Sequence, residues 1–401
     1  MKLNKSLIRG SFMLLIFFNL FNIINFFFHF SMARILSVTE FGILSTLYSM
    51  IYVMSGFSES VQIVITKYSI KEKDKGKLKN ILKRAFRKSF FISSILFFVY
   101  LLTSIIISKL TDIDYFLVSL TGLMLFAVFL TPISRGMLQG KRRFLSLGSN
   151  MVSESLIKLL ASLMLVFLGW KVYGAIIGTL IGTFIALAIS FIGLKDIIRS
   201  EEKKTDTKEV YNYILPSFFI VLGILFFYSI DVFMARIFFP PELAGAYAIA
   251  SILAKTIFLG TQPISRAMFP ISADNDFNKK NSKNIFFNAL LLLFIAIIAA
   301  LIVFYLFPSI IIYVFSGKII PAAESVLFYL AIAISLISVA NLILLYKLSL
   351  NKTRGYPYLL IFVLLEVILL GYFSNDLLQF SIAFIVSSAA FLFGAIFLLR
   401  K

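Results

Sequence analysis

The stretch Asn284–Gly317, NIFFNALLLLFIAIIAALIVFYLFPSIIIYVFSG, contains no charged residue across 34 positions. About 20 consecutive apolar residues are enough for one helix to cross a bilayer. We therefore predict one membrane-spanning helix in this stretch and an interfacial segment after it, with breaks at Pro308 and Gly317. Stretches of the same kind fill most of the chain, so the sequence predicts an all-α membrane protein.

The overall composition agrees with this class. Hydrophobic residues make up 60% of the 401 residues and charged residues 14%, with a mean hydropathy of +0.98, whereas soluble domains are about half apolar and a quarter charged. With no cysteine and one histidine, disulfides and zinc–thiolate sites are excluded, and we predict neither a metal site nor a cofactor. We attribute the net charge of +19 to basic cytoplasmic loops rather than to a nucleic-acid partner.

We place twelve membrane-spanning helices along the chain, each close to 20 residues long. The first, Ser11–Ala33, is too long for the apolar region of a signal peptide, so we expect it to be retained. The predicted spans are 11–33, 41–65, 89–108, 115–134, 147–169, 172–194, 211–235, 243–265, 285–307, 325–346, 356–374 and 377–399.

Lysine and arginine are distributed unevenly between the two sides of these spans. With the N-terminus in the cytoplasm, 31 of the 38 basic residues lie in cytoplasmic segments, five in external loops and two inside helices. Because cytoplasmic loops of membrane proteins carry the excess of basic residues, this distribution predicts a multi-pass protein of the cytoplasmic (plasma) membrane with both termini in the cytoplasm.

The most basic loop, Lys67–Lys88, carries ten of these residues. Within it, Leu78, Ile81, Leu82 and Ala85 fall on one helical face. Two interpretations follow. The segment is either a basic amphipathic helix lying against anionic lipid headgroups, or a solvated cytoplasmic extension of the third helix.

A short internal repeat relates the two halves of the chain. Residues 32–35 and 234–237 both read Met-Ala-Arg-Ile, at an offset of 202 positions. The same offset pairs Glu40 with Glu242 and His29 with Asp231. Six spans per half give both halves the same orientation, so we predict two six-helix lobes, residues 1–200 and 201–401, related by a pseudo-twofold axis along the membrane normal.

Three short motifs carry a family resemblance. They are Ala33-Arg34-Ile35-Leu36 with Glu40-Phe41-Gly42; Arg135-Gly136-Met137-Leu138-Gln139-Gly140 with Arg143-Phe144; and Pro241-Glu242-Leu243-Ala244-Gly245-Ala246-Tyr247. They resemble motifs of the polysaccharide and oligosaccharide flippases (Wzx-like proteins) of the multidrug/oligosaccharidyl-lipid/polysaccharide (MOP) exporter superfamily. The resemblance implies two six-helix lobes around a central cavity that opens to either side in turn. It also implies an oligosaccharide substrate linked to a polyprenyl phosphate or diphosphate.

Ionisable side chains within the spans are candidates for function, because each is costly in hydrocarbon. Glu154 and Lys158 lie at i, i+4 on the fifth helix and either form a self-paired bridge or face a cavity. Lys255 has no acid within one turn of its own helix. The helix rise puts Asp231 at a depth roughly 12 Å from Lys255, too far for a direct pair in straight helices. We therefore predict that Lys255 faces the cavity and binds the substrate phosphate, with a salt bridge to a distant helix as the alternative.

The first span presents a polar face, which serves either a cavity or hydrogen bonding between helices. Its members are Asn19, Asn22, Asn25 and His29. The proton-coupled multidrug extruders of the superfamily carry an acid on this helix, whereas Ser11–Ala33 contains none. That departure leaves His29 or Asp231 as candidates for ion coupling. Glu59 and Glu366 are further candidates: each is either a proton carrier or a buried, protonated spectator, since burial raises the pKa of a carboxyl group.

Two arginines at the predicted external ends of spans complete the candidate site. Arg34 and Arg236 follow the first and seventh spans and either anchor the chain at the interface or form locks with Glu40 and Glu242.

The sequence supports two functions on one fold. The first is a flippase that moves a polyprenyl-(di)phosphate-linked oligosaccharide across the membrane by alternating access. The second is an ion-coupled exporter of drugs or other small molecules. Lys158 and Lys255 favour the flippase, because a phosphate needs cations whereas a cationic drug needs acids. We expect a monomer without enzyme activity. Its partners are the lipid-linked oligosaccharide, membrane lipid and either H+ or Na+.

Overall fold

The computed structural model describes residues 5–205, 214–272, 279–350 and 355–397, in which every regular element is helical. The π-helical turn Val166–Trp170 links α6 to α7, and the 3-10 turn Tyr356–Tyr358 precedes α14. The α-helices are α1 (Lys5–Ile35), α2 (Val38–Lys71), α3 (Lys75–Thr111), α4 (Tyr115–Thr121), α5 (Met124–Gly140), α6 (Phe144–Leu165), α7 (Lys171–Ile192), α8 (Lys195–Ile198), α9 (Ile214–Phe238), α10 (Pro241–Ser272), α11 (Lys279–Leu306), α12 (Pro308–Ser316), α13 (Pro321–Ser349), α14 (Leu359–Tyr372) and α15 (Leu377–Phe397).

Each of the twelve predicted spans corresponds to a helical segment within the described ranges. Ten stretches there are long and apolar enough to cross a membrane. One of them, Phe144–Ile192, contains both α6 and α7, and the shorter apolar helix Tyr356–Tyr372 supplies one more. The helices differ from the predicted spans in where one begins and in how another is divided. The third span begins at Lys75, and the fourth is divided into α4 and α5.

Local sequence explains where several helices begin and end. Ser37 and Glu40 form a capping box at the start of α2: Glu40 N donates to Ser37 Oγ at 3.2 Å, and Ser37 N donates to Glu40 Oε2 at 2.9 Å. Asp74 caps α3 by accepting from Gly76 N at 2.7 Å. Between α6 and α7, Gly169 has a φ of 89°, in the left-handed region that favours glycine.

The basic segment before the third span is the first part of α3. Its apolar residues Leu78, Ile81 and Leu82 are buried against Ile133, Met137 and other side chains of the first half. The interpretation of this face as a headgroup-binding surface is therefore wrong, because protein already covers it. The segment is an extension of the third helix, held by its own hydrophobic contacts.

Contacts between Cα atoms divide the chain into two compact units. Unit 1 contains Met1–Ile35 and Met54–Phe218, and unit 2 contains Leu36–Val53 and Phe219–Lys401. The start of α2 thus packs within unit 2, where a Cβ on Gly42 would lie 2.7 Å from the Cα of Gly245. The predicted lobe boundary at residue 200 stays a prediction.

Candidate functional site

Asp231 on α9 lies at the centre of a buried polar cluster in unit 2. It is 0% exposed and accepts hydrogen bonds from Ser251 Oγ at 2.6 Å, Lys255 Nζ at 2.9 Å and Tyr247 Oη at 3.3 Å. The three donors are spaced four residues apart on α10, so one face of that helix presents them together. We call Asp231, Tyr247, Ser251 and Lys255 the Asp231 cluster. An ammonium and two hydroxyl groups there compensate one carboxylate.

The prediction that Lys255 and Asp231 are too far apart to pair is wrong. That prediction counted backbone rise only, whereas Cα–Cβ bonds tilt toward the N-terminus of their own helix. The chain reverses between α9 and α10, so Asp231 and Lys255 lean toward each other from different depths. The four-carbon lysine side chain covers the remaining distance, and its Nζ also lies 5.1 Å from the ring centroid of Tyr228.

Glu366 on α14 is a buried carboxyl group in unit 2 that accepts no hydrogen bond from the described residues. Its side chain is 0% exposed, and neither carboxyl oxygen has a hydrogen-bond partner within the described part of the chain. The charges of Asp231 and Lys255 act on it, and Tyr247 is also within electrostatic range. Glu366 is therefore a neighbour of the Asp231 cluster without being bonded into it.

A second buried cation lies in unit 1, where α6 meets α1. Lys158 is 7% exposed. Its Nζ donates to Asn25 Oδ1 and lies 4.4 Å from the ring centroid of Phe28. The amide of Asn25 in turn donates to the carbonyl oxygen of Phe21 at 2.8 Å. We call Asn25, Phe28 and Lys158 the Lys158 site. Both of these contacts to the ammonium come from neutral groups, and the charge of Glu154 on the same helix also acts on it.

Glycines of α7 pack against the backbone of α6 and determine on which side of α6 the Lys158 side chain lies. A Cβ on Gly182 would lie 2.7 Å from Lys158 N, and one on Gly178 would lie 2.4 Å from Ser162 N. Such backbone contact between helices requires small residues at four-residue spacing. Because α7 covers this side of α6, the side chain of Lys158 is directed to α1.

Glu154, predicted to face Lys158, forms a salt bridge with Arg135 of α5. Arg135 Nε also donates to Asn150 Oδ1 at 2.9 Å, and the Asn150 amide donates to the carbonyl of Ala186 at 2.6 Å. Sequence analysis missed this network, because its members come from three helices. The i, i+4 spacing of Glu154 and Lys158 was the only local indication of a partner for Glu154, and it indicated Lys158 rather than Arg135.

The other predicted site residues differ in exposure. Arg34 is exposed, with its guanidinium carbon 4.6 Å from the Phe30 ring centroid, whereas Arg236 is 5% exposed and lies inside unit 2. Of the remaining candidates, His29 is buried, Asn19 and Asn22 are partly buried, and Glu59 is exposed.

The motif from Arg135 to Phe144 has a packing role in unit 1. A Cβ on Gly136 would lie 2.7 Å from the carbonyl oxygen of Gln62, so the glycine permits α5 to contact α2 closely. Arg143 binds Asp196 through two hydrogen bonds of 2.6 and 2.8 Å. This guanidinium holds the pKa of the Asp196 carboxyl well below its usual range. The motif therefore joins helices rather than forming a separate site.

The described residues form a polytopic, all-helical fold with charges buried between its helices, and solved structures share this fold. An inward-facing multidrug resistance MATE family transporter of the MOP superfamily matches at 12% identity over 98% of both chains, with a TM-score of 0.74. The eukaryotic MATE transporter AtDTX14 matches at 14% identity over 99% of this chain and 97% of that one, with a TM-score of 0.71. An outward-facing MATE structure matches at 13% identity over 98% and 93%, with a TM-score of 0.67. These matches confirm the predicted fold class.

The family follows from the sequence itself. Residues 7–276 match the family model described as polysaccharide biosynthesis protein. The chain belongs to this family, which confirms the resemblance that the three motifs indicated. A comparison with curated proteins gave no match.

Proposed function

We propose that this protein is a flippase that moves a polyprenyl-(di)phosphate-linked oligosaccharide across the cytoplasmic membrane by alternating access. The observation that carries the proposal is the Lys158 site, a buried cation in a member of the polysaccharide biosynthesis family. Membership alone supports a role in polysaccharide assembly. The buried ammonium supports a substrate with a negatively charged group.

Lys158 suits a phosphate ligand better than Lys255 does. The ammonium of Lys255 is bonded to the carboxylate of Asp231 at 2.9 Å, so a phosphate there would compete with an existing charge. At Lys158 a phosphate oxygen would replace the neutral oxygen of Asn25 as the acceptor. The ammonium would then donate to a charged oxygen, which makes a stronger hydrogen bond. We therefore transfer the predicted phosphate-binding role from Lys255 to Lys158, with Asn25 as a second contact.

The alternative is an ion-coupled exporter of drugs or other small molecules, and the MATE matches share its fold. At 12–14% identity these matches show the fold alone. A cationic drug requires an anionic site, whereas the Lys158 site has a cation at its centre. This difference in charge separates the two functions.

Reconstituted protein in vesicles provides the test. We expect the wild type to move a polyprenyl-diphosphate oligosaccharide between leaflets, Lys158→Gln to lose at least tenfold in rate, and Lys158→Arg to retain part of it, because charge is what the phosphate requires. Lys109→Gln, on an exposed part of α3, is the matched control and should transport normally. Normal flipping by Lys158→Gln would overturn the assignment. Export of a cationic drug without flipping would favour the alternative function.

A further inference from the structure

Two fully buried carboxyl groups in unit 2 have opposite surroundings. Asp231 accepts three hydrogen bonds, one of them from an ammonium. Glu366 accepts none within the described residues. A buried carboxylate is tolerated only where donors or an opposite charge compensate it. The surroundings of Asp231 therefore suit a carboxylate, and those of Glu366 suit a carboxyl group that carries a proton.

The charges around Glu366 balance only with that proton. The neighbouring helix α9 contributes Asp231, and α10 contributes Lys255 and Tyr247. The packed helix α15, Leu377–Phe397, contains no ionisable residue. The ammonium of Lys255 therefore compensates two carboxyl groups, those of Asp231 and Glu366. These three groups have no net charge when one carboxyl group is protonated.

We propose that Glu366, Lys255 and Asp231 form a proton-binding site in which the two carboxyl groups share one lysine. When the O–H bond of Glu366 breaks, the proton leaves to water and the ammonium of Lys255 moves from Asp231 to the new carboxylate. Asp231 keeps the hydroxyl donors of Ser251 and Tyr247. Protonation of Glu366 returns Lys255 to Asp231.

The geometry favours such a transfer of the ammonium. Lysine has a flexible four-carbon stem, and the Tyr228 ring 5.1 Å from Lys255 Nζ attracts the cation without competing for it as a carboxylate would. The hydrogen bonds from Ser251 and Tyr247 stabilise Asp231 while the ammonium is away. Each state thus has a compensated carboxylate.

The inference rests on the proposed function only for its use in transport, because proton binding is measured separately. Infrared spectroscopy of the purified protein in lipid detects the C=O absorption of a protonated buried carboxyl. We expect this band in the wild type at neutral pH, its loss in Glu366→Gln, and its persistence in the control Glu201→Gln, since Glu201 is exposed.

Charge-removal variants test the sharing of the lysine. Asp231→Asn frees Lys255 for Glu366, so the band should disappear at neutral pH. Asp231→Asn combined with Lys255→Met removes the ammonium, so the band should return. A band that survives in Glu366→Gln, or that is unchanged by Asp231→Asn, would overturn the proposal. These infrared outcomes stand whether or not the vesicles show flipping, so the two proposals fail separately.

Discussion

At the scale of single residues, two ion pairs join charged side chains of different helices. Glu154 is bonded to Arg135 in unit 1, and Asp231 to Lys255 in unit 2. A buried pair is a weak source of stability, because desolvation offsets much of the attraction. Removing one partner is much more costly than removing both. This asymmetry makes the comparison of single and double substitutions informative about a structural pair.

Lys255→Met should lower the free energy of unfolding by about 3–5 kcal/mol, because it leaves the buried carboxylate of Asp231 without its counter-charge. The double variant with Asp231→Asn should recover most of this loss. Denaturant titration in mixed micelles measures both variants, with Lys109→Met on the exposed part of α3 as the control. A double variant no more stable than Lys255→Met would show that charge compensation is not what holds the pair.

Asp196→Asn tests the Arg143 pair outside the spans. The pKa of Asp196 is depressed in the folded state by Arg143, so its stabilisation is fully present above the unfolded pKa of about 4, declines below that value, and is lost as pH falls through the folded pKa. We expect the variant to lose up to about 1 kcal/mol at pH 7, because the carboxylate is partly exposed. The difference should be smaller in thermal unfolding at pH 3 than at pH 7, because pH 3 lies between the unfolded pKa and the depressed folded pKa. An undiminished difference at that pH would contradict the ion-pair explanation.

At the scale of helices, the closest contacts are made where glycines replace side chains. Gly174, Gly178 and Gly182 recur every four residues on the face of α7 that meets α6. Within unit 2, the start of α2 meets α10 through Gly42 and Gly245. In a bilayer the hydrophobic effect does not drive helices together, so close backbone packing supplies much of the association energy.

Gly178→Ala should therefore destabilise the protein, by about 1–3 kcal/mol, because the new Cβ would lie 2.4 Å from backbone N of Ser162. The matched control is Gly223→Ala in α9, where a Cβ meets nothing within 4 Å. That variant should be neutral or gain up to about 1 kcal/mol, since alanine favours helix more than glycine. Equal effects of the two substitutions in thermal unfolding would exclude a packing role for the α7 glycines.

At the scale of the whole molecule, the membrane topology remains a prediction from the basic residues. Lys67–Lys88 and Lys195–Val210 together contain much of the basic charge. The structure adds that the start of α3 and residues 200–203 are bonded to each other: Lys203 N donates to Gly76 O at 3.1 Å, and Lys83 pairs with Glu202. These two segments therefore lie on the same side of unit 1.

Single cysteines at Lys73 and Glu201, both exposed, should be protected from an impermeant thiol reagent added to intact cells. The cysteine-free chain makes each label unambiguous. A cysteine at Ile319, which is 80% exposed and predicted to be external, should react at once. Rapid labelling of the first two positions from outside would reverse the proposed orientation.

The predictable part of the candidate site is the part whose residues lie on one helix. The spacing of Tyr247, Ser251 and Lys255 is a local signal that sequence analysis did not use, and it places three polar groups on one face. Their common partner, Asp231, comes from another helix. Helix rise alone predicted that Asp231 and Lys255 are too far apart to pair. The distance between their charged groups also depends on side-chain direction and on how the two helices meet.

The sequence by itself determined the class of protein, the number of spans and their positions, because the apolar length that crosses a bilayer is set by local composition. It also determined the family, through motifs that can be read in order along the chain. Only the tertiary structure decided the charge partners: Arg135 with Glu154, and Asp231 with Lys255. Opposite charges in a low-dielectric interior select partners by distance across helices, and that distance exists only once the helices have packed.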